Sequence, residues 1–370
     1  MYNDKENFQI IENTKLYNNI NKKSYKNYYK LYLGISLMII FLLLIENIKL
    51  NVKLRKFKNI NSQQIIKKKQ INNNSNIYCD KLFQLYIENR TQFYIKGRQI
   101  HMRSIGSDYN DSNIRTIQDK FNWLLVHDSP ELKADIVDKV LLRNYSKKIL
   151  GKDICVPLIK IYKNVDEINL QELPDQFVLK CNHGSAMNII CDNKKNFNLE
   201  NAKKMLSYWM TLNYGLIKYE YQYMNVKKKI FAETFLMKNL TDYKFYCFNG
   251  IPKLVKVQAE YKNHRKMYHY YDENWKITDI ETNLDWNKKL PEIKFQKPKH
   301  FDLMIKYAKK FAKNFIFVRV DLYEFNDTVY LSELTFTPAN VLSPFKDENQ
   351  RLYLGSLLNL TKPNKNKNIL

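Results

Sequence analysis

The chain has 370 residues, of which 45% are hydrophobic and 14% aromatic, so it can form a folded core and is not expected to be disordered throughout. Its formal charge of +24 is partly terminal, because residues 1–78 contribute +10 and residues 362–370 contribute +3. The remaining charge is diffuse, without arginine-rich or aromatic-interleaved basic runs, and the five cysteines lack CxxC or His-paired spacing, which argues against nucleic-acid binding and against a zinc site.

The first predicted element is a membrane-spanning helix. Leu31–Ile45 is an uncharged run that would cover ~22 Å at about 1.5 Å per residue, and its tyrosine and lysine flanks extend it toward the ~30 Å hydrocarbon layer. Polar flanks argue against a buried core helix, and the 30 preceding residues argue against a cleaved signal peptide. We therefore expect a polar basic tail over residues 1–30, a transmembrane signal anchor over 31–48 and a disordered stem over 49–78.

The predicted anchor would make the chain a single-pass membrane protein whose orientation stays open. Lysine and arginine residues on its two sides nearly balance, so the positive-inside rule does not select an orientation. A short apolar span fits the thin membranes of the early secretory pathway, which favours a type II, Golgi-like arrangement.

We expect one folded domain over residues 79–361, followed by a basic tail over 362–370, and the alternation of helices and strands begins at residue 119. Helical spacing is present over residues 119–126, 131–150, 199–212 and 301–314. Strand patterns are present over residues 156–162, 176–182, 187–191, 229–235, 243–248, 253–260, 316–325 and 329–336. The dipeptide Asn249-Gly250 is the strongest hairpin signal. Hairpins among helices indicate an α+β fold with antiparallel sheets and flanking helices, and not a doubly wound sheet.

A first candidate site lies in the sequence FVLKCNHGSAMNII. Lys180 ends an apolar strand, and a polar loop with Gly184 and Ser185 follows it. Backbone N–H groups of such a loop can bind phosphate oxygens while the lysine supplies a positive charge. The chain contains no Walker P-loop sequence, and an ordinary hairpin also explains these residues.

The next two strands carry charges where apolar residues are expected. In IFAETFL, Glu233 interrupts an apolar strand and needs a partner, for which a ribose, an adenine edge or a lysine would each serve. In TDYKFYCF, Asp242 and Lys244 flank Tyr243 on one face, and a structural ion pair is the simplest interpretation.

The last hairpin has the most informative pattern. Apolar residues of FVRVDLYEF alternate with Arg319 and Asp321, and Glu333 and Thr335 share a face of the returning VYLSELTF. A loop of odd length centred on Asp327 would place Asp321 opposite Glu333, about 5 Å apart, which suits a bridging Mg²⁺. A two-residue turn would instead send the two acids to opposite faces, and a surface salt bridge with Arg319 is an alternative role for either acid.

Taken together, these sequences resemble the TupA-like (teichuronopeptide biosynthesis) family of ATP-grasp enzymes. The likeness rests on FVLKCNHGS, on IFAETFL followed by TDYKFYCFNG, and on FVRVDLY followed by LSELTFTP, and it runs from about FNWLLVHD to LGSLLNL. It implies an ATP-grasp architecture with ATP and Mg²⁺ as cofactors. Residues 183–185 would form a flap over the phosphates, and residues 233–236 would line the adenine and ribose pocket.

The resemblance also implies a role for each site residue. The nucleotide would contact Lys139, Arg143, Lys180, His183, Gly184, Ser185, Glu233, Phe235, Leu236 and Lys244. Lys180 would be catalytic together with Arg319, which would stabilise charge on the transferred phosphoryl group. Asp321 and Glu333 would be Mg²⁺ ligands. Thr335 stands where general ATP-grasp enzymes have a third ligand, Asn, so either water fills that place or Asn340 replaces it.

The implied activity is carboxylate–amine ligation, in which a carboxylate and ATP give an acyl phosphate and an amine then displaces phosphate to form an amide. In the resembled family the substrates are amino acids and uronic acids of polysaccharides, which would suit an enzyme tethered to a membrane. Two other classes stay open. A membrane-anchored glycosyltransferase fits the anchor and stem but lacks an Asp-x-Asp sequence, and a non-catalytic glycan or nucleotide binder fits the ligand lost at Thr335.

Overall fold

The structure, a computed structural model, describes residues 112–128, 133–218, 220–261, 265–282, 294–338, 345 and 347–361. The predicted tails, anchor and stem therefore lie outside the described residues, as does Asn340. No helix within these ranges is both long and apolar enough to span a bilayer. The described chain forms two antiparallel sheets with helices on their faces, which confirms the predicted α+β class.

The described ranges contain seven α-helices. They are α1 Ile117–His127, α2 Ala134–Val137, α3 Leu142–Leu150, α4 Leu199–Thr211, α5 Tyr214–Lys218, α6 Phe301–Ala312 and α7 Glu348–Ser356. A capping box between Thr116 and Asp119 starts α1. The continuous helix predicted over 131–150 is wrong, because the Asp138 carboxylate accepts hydrogen bonds from the N–H groups of Val140 and Leu141 and makes a turn between α2 and α3.

The smaller sheet has four strands in the order β1-β4-β2-β3. These strands are β1 Leu158–Tyr162, β2 Phe177–Cys181, β3 Asn188–Cys191 and β4 Ile230–Thr234. One face packs against α4 through buried residues that include Leu179, Ala232 and Leu206. Successive residues of a strand alternate between faces, so Lys180 and Glu233 lie on the opposite face.

The larger sheet has five strands in the order β7-β6-β5-β8-β9. These strands are β5 Asp242–Phe248, β6 Ile251–Tyr261, β7 Arg265–Asp272, β8 Phe317–Phe325 and β9 Thr328–Thr335. The prediction lacked β7. One face packs against α6 and buries Phe245, Val320 and Phe311 completely. The opposite face, called the polar face below, carries Lys244 and Asp321, which are cross-strand partners. Part of this face is apolar, where Phe317 packs against Phe121 of α1.

The hairpin of β8 and β9 pairs its acids through a β-bulge. Its turn has two residues, with φ of 46° and 56°, so of the two turns considered from the sequence the two-residue turn is present. Regular pairing from such a turn would place Asp321 opposite Ser332. The register shifts there by one residue, with Ser332 as the extra residue of β9. Asp321 therefore stands opposite Glu333 and Arg319 opposite Thr335, which is the pairing that a loop of odd length would have given.

Candidate active site

Two carboxylates on neighbouring strands form the centre of the candidate site. Asp321 of β8 and Glu333 of β9 are cross-strand partners on the polar face of the larger sheet. The Arg319 guanidinium donates to both oxygens of Asp321 at 2.6 Å and to Oε1 of Glu333 at 3.0 Å. Lys244 of β5 donates to Asp321 at 2.9 Å. The sheet register therefore brings two acids and two cations together.

The two acids differ in exposure and in charge environment. The Asp321 side chain is 1% exposed, whereas the Glu333 side chain is 24% exposed. Burial raises the pKa of Asp321, and the charges of Arg319 and Lys244 oppose that effect. Burial acts on Glu333 in the same direction, but the charges of Lys139, Arg319 and Lys244 lower the pKa of Glu333 to about 2. Glu333 is therefore ionised and is the more accessible acid.

These residues fit a Mg²⁺ ion that also contacts a nucleotide. Mg²⁺ is commonly bound by one or two carboxylates, while phosphate oxygens and water complete its shell. Asp321 and Glu333 supply the carboxylates, and the Thr335 hydroxyl donates to Glu333 at 3.0 Å. Across the described ranges, no group of three or more His, Cys, Asp or Glu side chains is arranged for a metal. An ion here would therefore depend on phosphate oxygens for binding.

Lys139 joins the carboxylates to the loop after β2. Its ammonium donates to the carbonyl oxygen of Gly184 at 2.7 Å and lies 3.7 Å from Oε2 of Glu333. Lys139 sits in the turn made by Asp138, whose carboxylate also accepts a 2.8 Å hydrogen bond from Asn182 at the start of the loop. The structure thus brings Lys139 together with the predicted flap and with one predicted metal ligand.

The loop after β2 is anchored from inside the fold. His183 is buried, and its Nε2 lies 3.1 Å from the carbonyl oxygen of Trp209 in α4. Burial lowers the pKa of His183. Gly184 approaches Tyr214 so closely that a Cβ at this position would lie 2.8 Å from the tyrosine ring. Ser185 is exposed. Of the three predicted flap residues, His183 therefore holds the loop and Ser185 faces solvent.

Lys180 and Glu233 are paired with each other across β2 and β4. Their ion pair is largely buried, with side chains 19% and 12% exposed. The partner that Glu233 required is thus a lysine. Phe235 and Leu236, just after β4, are half-buried. The smaller sheet presents a cation, an acid and two apolar side chains, and no ion pair among the described residues joins them to the Asp321 centre.

Arg143 lies at the connection between the two sheets. Its guanidinium contacts the Asp153 carboxylate at 2.8 Å and donates to the carbonyl oxygen of Val156 at 2.7 Å. Residues 153–157, the connector, accept one backbone hydrogen bond from β9 at 2.8 Å and one from β4 at 2.9 Å. Arg143 is therefore engaged with the connector, and its contact with a nucleotide stays a prediction.

Glu220 is a third acid near the centre, and the sequence did not indicate it. Its buried carboxylate accepts hydrogen bonds from Thr337 at 2.7 Å and from Tyr214 at 3.3 Å. Burial raises the pKa of Glu220 to about 7, although both hydrogen bonds oppose this effect. The charges of Glu333 and Lys139 also act on it, so it lies beside the centre. Its only sequence signal is one acid among tyrosines, which fits a solvated residue equally well.

Several solved structures are similar to the chain. A D-alanine–D-alanine ligase from Helicobacter pylori is 16% identical, with a TM-score of 0.32, over 60% of this chain and 61% of that chain. An L-amino acid ligase from Bacillus licheniformis is 14% identical, with a TM-score of 0.35, over 55% of this chain and 43% of that chain. An N5-carboxyaminoimidazole synthetase from Staphylococcus aureus, complexed with ADP, is 13% identical, with a TM-score of 0.31, over 54% of this chain and 44% of that chain.

The chain spans less than two thirds of the length of each of these three structures. No curated protein matches it. The TupA-like ATP-grasp family matches residues 119–359, well over half of the chain and including every site residue described above. The chain belongs to the TupA-like ATP-grasp family.

Proposed function

We propose that the protein is an ATP- and Mg²⁺-dependent carboxylate–amine ligase. The observation that carries this proposal is the cross-strand pair of Asp321 and Glu333, with Arg319 bonded to both acids. Lys139 extends this centre to the Gly184 loop of the other sheet. A Mg²⁺-triphosphate needs such a combination of carboxylates for the metal and cations for the phosphates.

The phosphates would lie near Lys139, between the two sheets. Lys139 already contacts one residue from each side, and Lys180 would add a second positive charge from the smaller sheet. Residues 183–185 would cover the phosphates. Arg143 would reach a phosphate only by leaving Asp153, so we assign it a smaller part in nucleotide binding.

The adenine and ribose would lie against the smaller sheet. The Glu233 carboxylate would accept a hydrogen bond from a ribose hydroxyl in place of its present ion pair with Lys180. Phe235 and Leu236 are half-buried next to it and would supply the apolar surface that an adenine ring needs.

Arg319 would change partners when the nucleotide binds. Its bonds to Asp321 and Glu333 occupy carboxylate lone pairs that a metal would use. When bound, Mg²⁺ neutralises charge on the phosphates and on the phosphoryl group in transfer. Arg319 would then donate to the γ-phosphoryl oxygens, where a bidentate guanidinium stabilises negative charge. Lys244 would keep its bond to Asp321 and hold that acid ionised.

The proposed reaction has two steps. An oxygen of the substrate carboxylate attacks the γ-phosphorus, the bond to the β-phosphate oxygen breaks, and ADP leaves an acyl phosphate behind. The nitrogen of an amine then attacks the acyl carbon, phosphate leaves, and the amine loses a proton to give the amide. Water would hydrolyse the acyl phosphate, so the loop at Gly184 would need to cover the site during both steps.

We further propose that the carboxylate and amine substrates, together called the acceptor substrate below, are amino acids and uronic acids of a glycan. The support for this substrate class is the family resemblance of the three site sequences. A helix over residues 31–48 would hold the enzyme at a membrane, in a type II arrangement, close to a glycan made there.

Trapping of the acyl phosphate tests the proposed function. The full-length chain, Mg-ATP and hydroxylamine should give a hydroxamate with at least one acid in a panel of amino and uronic acids, and Glu333→Gln should give none. Mg-ATP should also raise the melting temperature, and UDP-sugars should not. Stabilisation by UDP-sugars alone would indicate a glycosyltransferase instead. Mg-ATP binding without hydroxamate or ADP release would indicate a nucleotide-binding protein without ligase activity.

A further inference from the structure

A row of paired residues crosses the polar face of the larger sheet. Along the strand order, each residue of the row is the cross-strand partner of the next one: Tyr270, Lys256, Lys244, Asp321 and Glu333. Cross-strand partners point to the same side of a sheet, so all five side chains lie on the face that carries Asp321, and at one end of the row Tyr270 is buried in an apolar cluster with Leu254. One end of the row is the candidate metal site, and Lys256 lies two strands from Asp321, or ~10 Å at the usual strand spacing.

Lys256 differs from Lys244 and Arg319 on this face because, among the described residues, no acid forms an ion pair with it. Lys244 is held by Asp242 at 3.2 Å and by Asp321 at 2.9 Å. Lys256 makes no ion pair or hydrogen bond within the described part of the chain. Its ammonium instead lies over the Tyr268 ring, 4.0 Å from the ring centroid.

This position is unfavourable for a cation without a ligand. Lys256 is half-buried and stands directly opposite Lys244, and like charges in that arrangement repel each other. Burial lowers the pKa of Lys256 to about 7; the charges of Arg319 and Lys244 act in the same direction, and those of Asp321 and Asp242 oppose it. A structural role would not explain a lysine here, since an apolar side chain would pack on Tyr268 without this repulsion.

We propose that Lys256 binds a carboxylate of the acceptor substrate. The proposal rests on the ligase function proposed above and names a residue that would select the acceptor. The nucleotide phosphates would lie near Lys139 and Glu333, at the β9 end of the row, whereas Lys256 lies on the other side of Asp321. An anion at Lys256 would therefore belong to the second substrate.

A neighbouring residue supports a polar ligand at this place. Gln258 lies two residues further along β6 on the same face, opposite Tyr268 of β7. Within the described residues its amide has no hydrogen-bond partner, so it can bind a carboxylate or hydroxyl oxygen next to Lys256. An ammonium, an amide and a tyrosine ring together suit a small, oxygen-rich anion such as a uronic acid.

Binding measurements on the full-length chain test the proposal. Two ligand pairs compare a carboxylate with a neutral polar group at the same position: galacturonate with galactose, and glutarate with glutaramide. We expect the wild type to prefer at least one charged member by tenfold or more, Lys256→Met to lose that preference, and Lys256→Arg to keep most of it. Lys306→Met, which removes an exposed lysine of α6, is the matched control and should behave as wild type.

The same variants separate this proposal from its alternatives. Lys256→Met should fold at least as stably as the wild type, because it removes an unpaired cation, and its Kd for Mg-ATP should not change. An equal loss of Mg-ATP affinity would assign Lys256 to the nucleotide and overturn the proposal, as would equal affinities for the members of both ligand pairs. These binding experiments need no turnover, so a failure of hydroxamate trapping would contradict the ligase function alone.

Discussion

Asp321 and Glu333 stand opposite each other but should contribute differently to folding and to binding. Asp321 is enclosed and is the common acceptor for Arg319 and Lys244, both of which are themselves largely buried. Glu333 is more exposed and shares its cations with other acceptors. Loss of the Asp321 carboxylate would therefore leave two buried cations without their common acceptor. Loss of the Glu333 carboxylate would mainly remove a candidate metal ligand.

We predict that Asp321→Asn and Glu333→Gln separate stability from metal binding. Asp321→Asn should lower the free energy of unfolding by about 3–5 kcal/mol, the usual effect of breaking a buried ion pair, and Glu333→Gln by less, about 1–3 kcal/mol, because it loses the attraction of the cations that lower the pKa of Glu333. Both should lose Mg²⁺-dependent ATP binding. Urea unfolding and titration with Mg-ATP measure the two effects. Equal destabilisation by both variants would show that the acids are a structural pair.

Glu220 should make stability depend on pH. Its pKa is about 7 in the folded protein, against about 4.3 in an unfolded chain. Between these values the folded state keeps a proton that the unfolded state has lost, so the free energy of unfolding falls as the pH rises toward 7. Glu220→Gln cannot ionise, and from pH 5 to pH 8 it should gain roughly 2–3 kcal/mol relative to wild type. Urea unfolding at several pH values measures this gain.

An exposed glutamate provides the control for the pH dependence of Glu220→Gln. Glu200 lies in α4 with a side chain that is 78% exposed, so Glu200→Gln should follow the wild-type pH dependence. A Glu220→Gln variant that also follows the wild type would show that the buried carboxyl ionises normally.

At the scale of elements, alternation of apolar and charged residues predicted most strands and the face that carries the site. Arg319 and Asp321 interrupt an otherwise apolar strand at every second position, and Glu333 and Thr335 do so on the return strand. Lys180 and Glu233 likewise stand out from apolar neighbours. Each of these signals is local to one strand, so it can be read before any pairing is known.

The features that could not be predicted from the sequence depend on contacts between segments that are distant in the chain or on hydrogen bonds of a side chain to nearby backbone. The bulge at Ser332 is visible only once β8 and β9 are paired, and without it the two acids would face opposite sides. Asp138 breaks a helical apolar pattern through bonds of its side chain to nearby backbone. Glu220 and Lys256 become informative only through burial and through their neighbours across the fold. Sequence periodicity carries none of this information.

The loop after β2 should be displaced when a side chain is added at Gly184 and should be unaffected when the side chain of Ala186 is removed. Gly184→Ala places a Cβ 2.8 Å from the Tyr214 ring and 2.9 Å from Sδ of Met187. Such overpacking usually costs about 1–3 kcal/mol, and the displaced loop should bind Mg-ATP at least tenfold more weakly. Ala186→Gly is the control, because Ala186 has φ of +58°, which glycine adopts without strain. Unchanged affinity in Gly184→Ala would show that the loop does not cover the phosphates.

At the scale of the whole described fold, the connector holds the two halves of the candidate site in place. The smaller sheet carries Lys180 and Glu233, and the larger sheet carries Asp321 and Glu333. The connector is hydrogen-bonded to β4 of the first sheet and to β9 of the second. Arg143 fixes it to α3. Arg143, which lies outside the carboxylate centre, therefore holds a segment that is hydrogen-bonded to both sheets.

We predict that Arg143→Met weakens this connection without weakening nucleotide binding directly. The lost bonds to Asp153 and Val156 should lower the free energy of unfolding by about 1–3 kcal/mol, whereas Lys147→Met, an exposed change on the same helix, should cost less than about 0.5 kcal/mol. Hydrogen exchange should localise the effect, because the amides of Leu331 and Thr234 donate to the connector. Both amides should exchange faster in Arg143→Met, while those at the centre of β6 should not. A tenfold loss of Mg-ATP affinity with wild-type exchange would instead place Arg143 at the phosphates.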